Sequence, residues 1–207
     1  MNIVISLIVA GMFAGSAYFY PQLPTQLPTH WNIAGNIDGY MDKMYGAWLF
    51  PFLTLAMFFS FKVIPFLDPK KDKYKLFQHE WIIIQTAFIA FFAYMHFVVL
   101  HASLFPRTNS VPLIFIGLGS LFILIGNYLS KIRQNYFIGI RVPWTLSNEE
   151  NWNKTHRFAS WCFVTAGIVV LLESYFQWYS PIVVLSSLGI ASLAPMAYSF
   201  ILYRKNK

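Results

Sequence analysis

Side chains able to do chemistry gather in three parts of the sequence. In the first, a polar stretch, His30, Trp31, Asn32 and Asp38 stand within nine residues, followed by Tyr40 and Lys43. An imidazole, an amide and a carboxylate supply hydrogen-bond donors and acceptors, and Trp and Tyr rings are amphipathic. The residues alone leave two readings open, a ligand-binding surface or a folded cap resting on lipid headgroups. The second part holds Asn127, Arg133, Asn135, Gly139, Arg141, Pro143, Trp144, Trp152, Lys154, His156 and Arg157. Arginine presents a planar fork suited to carboxylates, so this stretch fits an acidic patch on a soluble partner. A plain basic anchor, with Trp144 and Trp152 on the headgroups, also accounts for the Lys and Arg residues. It leaves unexplained the density of Asn135, Asn148, Asn151, Asn153, Gly139 and Pro143, which points to a defined loop fold.

His96, His101 and Glu173 form the third group, each inside a long apolar run. Charged groups in hydrocarbon cost roughly 2.5–3.5 kcal/mol each at the centre of an inserting helix, so such positions are functional candidates. His96 and His101 lie five residues apart, about 140° around a helix, and do not share a narrow face. A zinc site would need a further ligand such as His30 or Glu173, so hydrogen-bonded or interfacial roles are expected, with no metal and no cofactor. The single cysteine, Cys162, excludes an intrachain disulfide and a Cys-based zinc cluster. No Gly-rich phosphate loop, His-Glu-x-x-His or Gly-x-Ser-x-Gly occurs, and an enzyme is not expected.

The elements that must position these groups are membrane helices. Of 207 residues, 57% are hydrophobic and 11% charged, against about 25% charged in a soluble domain. Six stretches approach the roughly 20 apolar residues needed to cross hydrocarbon: 2–20, 46–67, 80–104, 112–129, 157–177 and 182–203. The expected fold is therefore all-α, a polytopic bundle of six transmembrane helices. The first run lacks a basic start and a small-x-small cleavage site, and reads as a retained helix rather than a signal peptide. Pro51, Pro65 and Pro195 fall inside runs, where a kink rather than an end is expected. Gly11 and Gly15 make a GxxxG pattern that lets a helix approach closely, within the monomer or between copies.

Net charge is +7, but the basic residues sit between apolar runs instead of forming one patch, so nucleic-acid binding is not expected. With the N-terminus inside, the inner segments carry twelve Lys and Arg, and the outer segments carry only Lys43 and Arg107. Lys62 can snorkel to the inner surface. Both termini are therefore expected in the cytoplasm. Loops 21–45, outside, and 130–156, inside, are too long to be simple connections. Asn36-Ile37-Asp38-Gly39 offers turn chemistry, with Gly39 free to take positive φ. Ser147 and Glu150 fit a capping box that starts a helix running into the fifth span.

Two patterns carry a family resemblance. Pro28-x-His30-Trp31-Asn32-x-x-Gly35-x-x-Asp38-Gly39-Tyr40 resembles an N-terminal module of bacterial membrane proteins. Gly126-Asn127-Tyr128-Leu129-x-Lys131-x-Arg133-x-Asn135, then Gly139-Ile140-Arg141-x-Pro143-Trp144-Thr145-Leu146 and Trp152-x-Lys154-Thr155-His156-Arg157, resembles the SdpI family. The resemblance implies an N-terminal module over 1–67 and an SdpI-like module over 68–207, integrated in one membrane domain. It also implies resistance to a secreted peptide toxin and capture of a small DNA-binding autorepressor at the membrane. From another class, a transporter or membrane enzyme for a small hydrophobic substrate is the alternative; paired broken helices or internal symmetry would favour it.

Overall fold

Backbone groups inside a bilayer find no water, so each long apolar run must satisfy its own hydrogen bonds as a helix. A computed structural model, which describes residues 3–32, 35–177 and 181–205, contains six such helices. They are α1 (Ile3–Phe19), α2 (Lys43–Leu67), α3 (Gln78–Leu104), α4 (Val111–Leu129), α6 (Glu149–Phe176) and α7 (Pro181–Lys205). A short helix α5 (Pro143–Ser147) precedes α6, and strands β1 (Gln26–Trp31) and β2 (Ile37–Asp42) lie between α1 and α2. Pro51 and Pro65 remain within α2 and Pro195 within α7. The architecture is that of a multi-pass membrane protein.

The six spans agree with the apolar runs, and the connections hold more structure than the runs reveal. Loop 21–45 is largely an antiparallel hairpin pairing Leu27 with Met41, His30 with Gly39 and Trp31 with Ile37. Its turn lies earlier than the turn chemistry of Asn36–Gly39 predicts. Asn32 closes it: its N–H donates to Asn36 O at 2.8 Å, its carbonyl accepts Gly35 N–H at 2.9 Å, and its Oδ1 accepts Asn36 N–H at 3.0 Å. Gly35, at φ +80°, takes the left-handed position expected of Gly39. Gly39 instead sits in β2, where a Cβ would lie 2.8 Å from His30 Cβ; strand pairing, not turn geometry, demands glycine there. The start of α6 is also corrected by one residue. Asn148, not Ser147, is its N-cap, accepting Asn151 N–H at 2.8 Å, while Ser147 ends α5 and donates to Trp144 O at 3.3 Å.

Small residues decide where helices meet. On α4, Gly119 and Gly126 recur with the same seven-residue spacing as Ser160 and Gly167 on antiparallel α6. A Cβ on Gly119 would lie 2.8 Å from Gly167 O, and one on Gly167 2.6 Å from Gly119 O. Ser160 Oγ donates to Gly126 O. Backbones touch there, as small residues permit in lipid. The close approach anticipated at Gly11 and Gly15 is not found within the monomer: a Cβ at either meets nothing within 4 Å. Helix α1 instead packs through Ile5 and Val9, which join Ile89 of α3 in a buried cluster.

The start of α1 and the end of α7 lie at one end of the bundle. There Trp144 of α5 stacks against Tyr203, near the end of α7, at 6.1 Å and meets Phe200 edge-on at 5.3 Å. The hairpin caps the opposite end.

Candidate functional site

At the end of the bundle where α7 finishes, loop 130–148 is locked into one shape by buried polar side chains. Asn135, fully buried, accepts the N–H groups of Phe137 (2.9 Å) and Ile138 (2.7 Å) through Oδ1. Its Nδ2 donates to the carbonyls of Arg133 (2.9 Å) and Ile138 (3.1 Å). One amide thus replaces the secondary structure this segment lacks. His156, on α6, accepts Ile140 N–H through Nε2 at 3.0 Å and donates from Nδ1 to Trp152 O at 2.8 Å. That pairing fixes the neutral tautomer with its proton on Nδ1. The ring stacks on Trp152 at 4.0 Å, and Trp152 donates its indole N–H to Ile132 O at 2.8 Å. Gly139, at φ +101°, lets the backbone pass over this pair; a Cβ there would collide with His156 Nε2.

Several members of the network carry no motif of their own. Asp68 is buried after α2 and accepts the N–H of Lys70 (2.7 Å), the Tyr74 hydroxyl (3.0 Å) and the Tyr136 N–H (3.0 Å). It joins connection 68–77 to loop 130–142, although short length marks that connection as a mere link. The Asp68-Pro69 pair, a turn initiator directly after an apolar run, is the signal that could have found it. Gln134 donates to Thr145 O (2.7 Å) and Leu146 O (3.0 Å) and accepts Lys70 Nζ. Thr145 Oγ1 donates to Ile140 O at 2.8 Å and accepts Val142 N–H at 3.1 Å. Asn151 ties α6 to α7 by donating to Ser199 O at 2.9 Å and accepting Ser199 Oγ–H at 2.8 Å.

The residues singled out in this stretch therefore divide. Asn135, Gly139, Trp152 and His156 build the loop core. Trp144 holds α5 to α7, and Pro143 opens α5 at its first turn. Arg141 is exposed and donates to Tyr136 O at 2.9 Å. Asn127 lies on the exposed side of α4 and donates to Ile123 O at 3.0 Å. Arg133, Lys154 and Arg157 face solvent around a polar cleft. Beneath the loop, Ile84, Phe88, Ile138, Ile140, Arg141 and Phe163 help line a mostly apolar cavity of about 390 Å³.

At the opposite end, His30 and Asp38 meet across the hairpin at 2.5 Å, with both side chains substantially exposed. His30, Trp31 and Asn32 form one wall of an apolar cavity of about 350 Å³, whose other walls include Met95 of α3, Phe115 of α4 and Leu185 of α7. Lys43 is engaged structurally, donating to Leu23 O at 3.0 Å and lying over the Tyr20 ring. Tyr40 is exposed.

The intramembrane candidates do not converge on a metal. His96 is buried and donates from Nε2 to Ser16 Oγ at 3.0 Å, while Ser16 donates to Ala47 O at 2.7 Å. This chain ties α3 to α1 and α2. His101 lies between the Phe97 and Phe105 rings. Glu173 is buried on α6. Among the described residues no three His, Cys, Asp or Glu side chains cluster.

Comparison with known proteins matches two separate stretches of the chain. Residues 131–199 match the SdpI/YfhL protein family, and residues 7–55 match a domain of unknown function, DUF1648. Over 203 residues, 95% of each chain, the sequence is 29% identical to Immunity protein SdpI of Bacillus subtilis (strain 168). No solved structure matches it.

Proposed function

From a chain whose residues 131–199 are SdpI/YfhL-family sequence, we propose a membrane immunity protein that protects its cell from a secreted, membrane-directed peptide. Alignment with an immunity protein over 95% of both chains supports the general activity. The hairpin end supports the choice of face. An exposed His30–Asp38 pair borders an apolar cavity of about 350 Å³, a combination that suits an amphipathic peptide carrying one apolar anchor beside a polar group. In this reading the hairpin lies outside and both termini inside, an orientation that the asymmetry of Lys and Arg supports. Survival of cells with and without the chain, challenged with the peptide, is the direct test; equal survival defeats the proposal.

The two modules, 1–67 and 68–207, act as one membrane unit in this reading. Phe61 and Ile64 of α2 pack on the cluster containing Trp81, Ile132 and Trp152, so events at the hairpin have a mechanical route to the other end. There Arg141 and Tyr136 offer an exposed surface on a rigid loop. This surface would hold an acidic patch of a small DNA-binding autorepressor once the peptide is present. Arg141→Gln should leave insertion intact and release a tagged repressor to the cytosol; a repressor that stays membrane-bound excludes this docking site. A second reading, handling of a small hydrophobic substrate, is favoured by one observation, the cavity of about 390 Å³ beneath the loop.

A further inference from the structure

Where α4 ends and α6 emerges, Ser130, Arg133, Glu150, Asn153, Lys154 and Arg157 line a polar cleft of about 520 Å³. Its charges are unequally engaged. Lys154 is paired with Glu150 at 2.6 Å, and the neighbouring Glu149 is taken by Lys73 at 2.8 Å. Arg133 and Arg157 form no ion pair among the described residues. The cleft therefore presents two guanidiniums outside these ion pairs, an amide and a hydroxyl, which are donors matched to a phosphate.

Its depth decides which phosphate. Helix α4 has 19 residues, about 28 Å at 1.5 Å per residue, which just spans a hydrocarbon core of about 30 Å. Ser130 thus stands at the edge of that core. Gly126 of α4 lies against Ser160 of α6, so Ser130, four residues on, is level with Arg157, three residues before Ser160. Helix α6 has 28 residues, about 42 Å, and its first two turns project past the same edge. Lys131 lies over the Tyr128 ring at 5.0 Å, an amphipathic pairing typical of the interface. The cleft is therefore at the height of the lipid phosphates.

We propose that this cleft is a binding site for the phosphate of an anionic phospholipid, held between Arg133 and Arg157 with Asn153 and Ser130 as neutral donors. The assignment is independent of the immunity reading. It takes Arg133 and Arg157 out of any surface for a soluble partner and gives them to the bilayer.

The test is native mass spectrometry of the full chain in detergent, with phosphatidylglycerol and, separately, uncharged diacylglycerol added. One phosphatidylglycerol should be retained per chain, and diacylglycerol should not. Each of Arg133→Gln and Arg157→Gln should weaken retention about fivefold, and both together about thirtyfold, from the attraction expected per basic residue near a membrane. The charge-matched pair Lys71→Gln and Lys75→Gln should leave it unchanged. Thermal unfolding without added lipid shows whether each variant is folded, and the single variants carry the test if the double one is not. Equal retention by the arginine variants, or equal retention of diacylglycerol, overturns the proposal. So does capture of a glutamate-rich peptide through these arginines by the chain in a phosphatidylglycerol bilayer.

Discussion

Ile140 donates its backbone N–H to His156 Nε2 at 3.0 Å, and the residue before it, Gly139, sits at φ +101° directly over the same imidazole. A loop and a helix thus share one contact in which a ring nitrogen replaces water for a buried amide. Gly139→Ala forces a Cβ into the left-handed region and against the ring. It should cost about 1–3 kcal/mol, read as a lower melting temperature of the detergent-purified chain. His156→Ala should cost about 1–3 kcal/mol for the orphaned Ile140 donor alone. If both variants melt with the wild type, the loop is not held by this contact.

Asn135 makes a second, separable prediction. Asp at this position keeps the acceptor for Phe137 and Ile138 N–H but loses both donations to carbonyls. It also buries a carboxylate among them. Asn135→Asp should therefore destabilise by several kcal/mol, no less than Asn135→Ala. Limited proteolysis within 130–148 would detect the loosened loop. Protection equal to wild type in both variants would show that the amide is dispensable.

The glycines divide into packed and open sets. Gly119→Ala or Gly167→Ala should separate α4 from α6 and cost about 1–3 kcal/mol by overpacking. Gly11→Ala and Gly15→Ala, which meet nothing within 4 Å, should leave the monomer's melting temperature unchanged or slightly raised. A matched loss at Gly11 would reveal a partner surface on α1.

Orientation is checked by cysteine labelling after Cys162, the single native cysteine, is replaced by Ala. Asn36→Cys should react with an impermeant maleimide in intact cells, and Ser147→Cys only after permeabilisation. Labelling of both from one side would end the six-span topology.

At the hairpin, His30→Ala or Asp38→Ala removes one member of the 2.5 Å pair without touching a buried side chain. Each should reduce survival under peptide challenge while membrane abundance stays constant. Full survival of the double variant would mean that the hairpin is a cap only.

Six spans, their ends and the basic bias were legible in the sequence because each depends on a local property: run length, hydropathy and charge. The participation of His30 with Asp38, and of Asn135 and Gly139 with Trp152 and His156 in one loop–helix network, was signalled by residue type and density. Their roles were not. Asp68 and Tyr136 are separated by 68 positions, and no spacing rule links a short connection to a distant loop. In the same way, GxxxG drew attention to α1, whereas backbones touch at Gly119 and Gly167, because helix choice depends on which faces meet in three dimensions. Sequence alone determined that this chain must be helical in a bilayer, since lipid offers its backbone no other partner. Only tertiary structure decided which polar groups became scaffold and which stayed available. Asn135 and His156 are consumed satisfying buried backbone, while Arg133, Arg141 and Arg157 are left at the surface, where water and lipid headgroups keep a charge inexpensive.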